Sequence, residues 1–206
     1  RPAARRGQRL SARSAAHRFL EDANLGARRA AARALVHSAE FPELRRTFST
    51  LLERELDEGI RSGFGHALAQ WLTTSTGDEI EQRQVLATLF AVAGRPQEDA
   101  VRFRIEDSLR RLPMNVEEVG TLTKLALNGT PAQQIWSLSL LKTKTEVGGM
   151  VLEAACHQLV SLTDAKVREY AVTVLGSFQS ASTEQTLLAV LSGDEVWHVR
   201  AAAAHA

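Results

Sequence analysis

The stretch Asp164 to Gly176 returns in reduced form as Asp194 to Ala206, and this self-similarity restricts the fold more than any other feature. In both copies an apolar residue is followed by Arg, and a small residue stands four positions after the first. The fuller copy adds Leu at eight, which completes one face of an amphipathic helix. Such a helix cannot bury its face alone. Repetition of the unit implies that like helices stack, each covering the face of the one before.

Sliding the template along the chain finds Ala27-Arg28 with Ala31 and Leu35, Ile60-Arg61 with Phe64 and Leu68, and Val101-Arg102 with Ile105 and Leu109. Ala132-Gln133 leads to Trp136 and Leu140, and Val199-Arg200 to Ala203. The anchors at 27, 60, 101, 132, 167 and 199 are 33, 41, 31, 35 and 32 residues apart, about the spacing of two-helix repeats. Further amphipathic segments begin near Pro42, Gly77, Asn115, Glu146 and Ser182. Each supplies an A helix, with a templated B helix after it. Gly94-Arg95-Pro96, Asn128-Gly129-Thr130-Pro131 and Ser192-Gly193-Asp194 break the helices, with Thr130 and Asp194 as N-cap candidates. No segment alternates with period two, so no sheet is expected. The expected fold is all-α: a single right-handed α-solenoid of about six antiparallel helix pairs across residues 1–206. The closing Ala201 to Ala206 stays on the template without a Gly or Pro stop, and the chain begins at Arg1 rather than Met. Both features predict a piece of a longer solenoid.

With those residues in view, the chain resembles HEAT repeats, in particular the short bacterial HEAT-like kind also found in phycobilisome lyases. The likeness is strongest from Asp164 to Ala206 and weakest at Ala132, where Gln133 replaces Arg and Trp136 takes the small position. It implies a polar ladder in which each Arg meets an acid. Asp164, Asp57 and Glu98 stand four residues before Arg168, Arg61 and Arg102, a spacing that also allows pairs within one helix. The ladder is expected to falter at Gln133.

Composition narrows the function without assigning it. The net charge is +1, but nine basic residues against two acids up to Arg33 place +7 at the front and −6 in the other 173 residues. Arg1, Arg5, Arg6, Arg9, Arg13 and Arg18 precede the first acid, Glu21. This start reads as a solvated terminal face or as a targeting or nucleic-acid arm. No run approaches the roughly 18 apolar residues of a membrane helix. One cysteine, Cys156, excludes an internal disulfide, and a cytoplasmic location is expected.

Nothing in the sequence composes a catalytic or cofactor site. Gly63-Phe64-Gly65 lacks a preceding strand and a third glycine, and reads as a close helix approach. The six histidines contain no metal-binding pair at helical spacing with an acid between. Cys156 reads as a small buried residue, Trp71 and Trp136 as core, and Trp197 as uncommitted. The expectation is therefore a non-enzymatic scaffold without cofactor or metal, binding a protein partner on the concave face of its B helices. Template positions two and six place Arg29, Arg33, His66, Phe103, Gln134 and Leu138 on that face as partner-binding candidates. Phe103 and Leu138, on successive repeats beside Gln133, mark an apolar docking spot. The alternative is nucleic-acid binding through the basic first repeat, as in HEAT-like DNA glycosylases. A third reading, a chromophore lyase, rests on fold analogy alone.

Overall fold

The computed structural model describes residues 16–39, 41–75 and 78–206. The arginine-rich opening through Arg13 lies outside them. The described residues are helical throughout, with no strand. After a 3-10 turn at Phe19–Glu21 come α1 (Leu25–Leu35), α2 (Pro42–Arg54), α3 (Glu58–Thr74), α4 (Glu79–Ala93), α5 (Asp99–Arg111) and α6 (Val116–Asn128). Then follow α7 (Pro131–Leu141), α8 (Thr145–Leu159), α9 (Ala165–Leu175), α10 (Ala181–Gly193) and α11 (Trp197–His205). All six templated copies fall on α1, α3, α5, α7, α9 and α11. The chain divides after Leu112 into two compact units.

In the first unit α1 packs on α3 and α3 on α5, while α2 packs on both α3 and α4. The second unit repeats the scheme: α7, α9 and α11 form one row, and α6, α8 and α10 the other. Two-layer stacking of this kind is that of an α-solenoid. The template residues are its core. Ile60, Phe64, Leu68, Val101, Ile105 and Leu109 are buried, as are Val167, Ala171, Leu175, Val199 and Ala203. The Phe48 ring of α2 stacks on Phe64 with centroids 4.7 Å apart. A Cβ on Gly65 would stand 3.2 Å from Val101 Cγ1 and 3.3 Å from Ile105 Cγ2, so the missing side chain lets α3 and α5 approach.

Helix starts follow from local chemistry. Asn24, Asp57, Asp78, Asn115, Thr130, Asp164 and Ser180 accept backbone N–H bonds as N-caps. Asp194 departs from expectation. It ends α10, accepts from the Val196 N–H in the turn, and leaves Val196 as the cap of α11.

That displacement shows how the arginine ladder is built. Arg168 sends Nη1 to the carbonyls of Leu162 and Thr163, tying its own turn, and grips Asp194 of the next repeat with Nε and Nη2 at 2.8 and 3.0 Å. Arg28 does the same with the Asp22 and Ala23 carbonyls and with Glu55, and Arg61 with the Glu55 and Leu56 carbonyls and with Glu98. Each clamp thus joins a turn to the following repeat.

The acids differ in part from those expected. Asp57 and Asp164 are occupied as caps, whereas Glu55 and Asp194 stand six residues before the next templated Arg and face back toward the preceding repeat. Glu98 keeps the expected spacing but serves Arg61; the partners described for Arg102 all lie in its own repeat, namely Asp99 and the carbonyls of Ala93, Arg95 and Pro96. At α7 the ladder falters as expected. Gln133 turns back to accept from the Thr130 N–H, completing a capping box.

Candidate functional site

The templated arginines are committed to the stack, which leaves other arginines of the B helices, off that register, to meet solvent. In the first unit these converge. Arg29 and Arg33 from α1, His37 beyond it, His66 from α3 and Arg104 from α5 line a groove of about 600 Å³. Ala32, Val36, Ile60 and Phe64 form its apolar floor. Three successive B helices contribute, and that is why residues separated by 75 positions share one surface.

The charges in the groove are unevenly partnered. Arg29 donates through Nη2 to Asp57 at 2.6 Å, and this bond holds the guanidinium above its ordinary pKa and the carboxyl below its own. Arg33 donates through Nε to the Arg29 carbonyl at 3.3 Å but meets no carboxylate among the described residues. Arg104 also has no described carboxylate partner. His66 Nδ1 lies 3.3 Å from the Arg104 carbonyl; because a carbonyl only accepts, Nδ1 carries a proton and Nε2 is left for another contact.

The six binding candidates therefore separate. Arg29, Arg33 and His66 share the groove. Phe103 is 79% exposed on α5 but does not line it. Gln134 and Leu138 are corrections: both are buried, Leu138 completely. Their helix, α7, carries Ile135, Trp136, Leu138, Leu140 and Leu141 with no charged residue, and a helix without a polar face is buried nearly all round. The template assigned an outward side that this sequence does not possess. The apolar docking spot at Phe103 and Leu138 is thereby dissolved.

Sequence reading missed Arg45. It lies on α2, outside the templated helices, and is buried against Glu81 of α4 at 2.9 and 2.7 Å, the Ala39 carbonyl at 3.0 Å and the Trp71 ring at 4.2 Å. It repeats on the A-helix row what the templated arginines do on the B-helix row. The only signal was an Arg inside an otherwise apolar face.

Among the described residues no three His, Cys, Asp or Glu side chains gather as metal ligands would, and no helix is long and apolar enough to cross a membrane. Trp71 and Trp136 are buried, whereas Trp197 is 71% exposed beside a second hollow shared with His198 and Glu169. Cys156 is fully buried, and burial pushes its thiol up to about 12. Native protein should therefore resist iodoacetamide, and unfolded protein should react quickly. Mass spectrometry of alkylated samples checks this, and rapid native labelling would show an open path to the thiol.

The stacked helix pairs with their clamps agree with a sequence match. Residues 152–206, covering most of α8 and all of α9 to α11, match the HEAT-repeat family. The match is to HEAT repeats at large and does not extend to the phycobilisome-lyase kind. No curated protein matches the chain. Within the matched segment lies the clearest clamp, Arg168 to Asp194.

Proposed function

We propose that the chain is a non-enzymatic interaction module whose B-helix row receives a protein partner, with the groove of the first unit as the docking site. The observation that carries this reading is the groove itself: an apolar floor on three successive B helices, rimmed by Arg33 and Arg104 that have no described carboxylate partner. A floor that rewards desolvation beside donors that orient a ligand is the general make-up of a recognition site. HEAT repeats commonly serve as protein-interaction scaffolds, and that agrees with the same reading.

Peptides selected from a random display library against the immobilised chain test it. Arg29→Ala and His66→Ala, in the groove, should weaken the selected peptides, while Thr50→Ala and Glu53→Ala, exposed on α2, should not. Peptides that respond only to the α2 substitutions, or a library that yields no binder, would contradict the proposal.

A further inference from the structure

Resting on that docking reading, we infer that the groove of the first unit is built for an acidic protein segment, one presenting glutamate or aspartate side chains to Arg33 and Arg104. Arg29, Arg33 and Arg104 face one carboxylate, Asp57, which is already held by Arg29. Two guanidinium groups remain, on α1 and α5, either side of the α3 residues Ile60 and Phe64 that form part of the floor. A guanidinium binds a carboxylate in a planar, two-bond arrangement, and this chain uses that arrangement in its own clamps, Arg61 to Glu98 and Arg168 to Asp194. An incoming carboxylate would complete at Arg33 and Arg104 the pairing that the buried arginines find within the chain.

The surroundings favour a short acidic segment over nucleic acid. Residues 16–112 hold 14 arginines against 15 carboxylates, a formal charge of −1. Over these residues the charges nearly balance, while the five arginines of residues 1–15 lie outside the described residues. Phosphate tracking needs basic residues spread along the strand, and here the guanidinium groups without a described carboxylate partner are two, Arg33 and Arg104, within one groove. A segment with a few acids and an apolar residue for the floor fits that arrangement.

Fluorescence anisotropy with a short glutamate-rich labelled peptide, its glutamine counterpart and a single-stranded oligonucleotide of similar charge tests the inference. The glutamate peptide should bind, weaken with salt, and lose roughly tenfold or more in affinity with the double variant Arg33→Glu, Arg104→Glu. Arg46→Glu on α2 should leave it unchanged, and Arg33→Gln with Arg104→Gln should give an intermediate loss. Circular dichroism melts establish that each variant is folded. Equal binding of the glutamine peptide, indifference to the double variant, or tighter binding of the oligonucleotide at these arginines would overturn the acidic-segment assignment. Display-selected peptides that lack acids yet respond to Arg29→Ala and His66→Ala would overturn it while leaving the docking reading standing.

Discussion

Leu138→Ala is expected to lower stability by about 3 kcal/mol, while Phe103→Ser changes it by no more than about 0.5 kcal/mol. Phe103 stands two positions after its anchor and Leu138 six after its own, on neighbouring copies and at places the template turns outward, so the contrast reports their surroundings. Leu138 is fully enclosed in α7, and truncation removes its transfer free energy and leaves a cavity. Phe103 already lies in water at 79% exposure, so Ser costs little beyond helix propensity. Chemical denaturation of both variants checks this. Similar losses would mean that Phe103 is covered in solution, and no loss at Leu138 would mean that α7 is not packed as described.

The same pair shows where a sequence of this kind is legible. The apolar-Arg template located every B helix because it records two physical demands at once, a buried face and a guanidinium at the turn. At α7 the Arg is gone and only small serines interrupt the apolar residues from Ile135 to Leu141, so periodicity no longer tells inside from outside. The acid of the ladder was misassigned in part for a different reason. Asp57 and Asp164 stand where an N-cap is needed, and capping claims them first; Glu55 and Asp194 sit two residues earlier, in turns whose direction no local pattern gives. Half of the groove was readable, since Arg29, Arg33 and His66 follow from helix register alone. Arg104 and the floor were not, because they depend on how α1, α3 and α5 are stacked in space.

Register also sorts the arginines: Arg28, Arg61 and Arg168 join repeats, while Arg33 and Arg104 stay exposed at the groove. Arg168→Ala should cost about 3 kcal/mol, since it leaves the Asp194 carboxylate without its cation and the Leu162 and Thr163 carbonyls without the guanidinium donor. A melting drop of roughly 10 °C follows. Arg33→Ala and Arg104→Ala, on exposed side chains, should stay within about 0.5 kcal/mol of the parent. The Arg168 hydrogen bond, then the Val196 N–H and the Arg168 charge, hold the Asp194 carboxyl below the usual carboxylate range despite its burial. A lowered folded value means that the pair stabilises fully above about pH 4 and loses this as pH falls through the folded value.

A double-mutant cycle on Arg168→Ala and Asp194→Ala, followed by chemical denaturation at neutral and at strongly acidic pH, tests this most directly. The expected result is a coupling above about 1 kcal/mol at neutral pH that fades in acid. Additive losses at neutral pH, or a coupling indifferent to acid, would contradict the cross-repeat clamp.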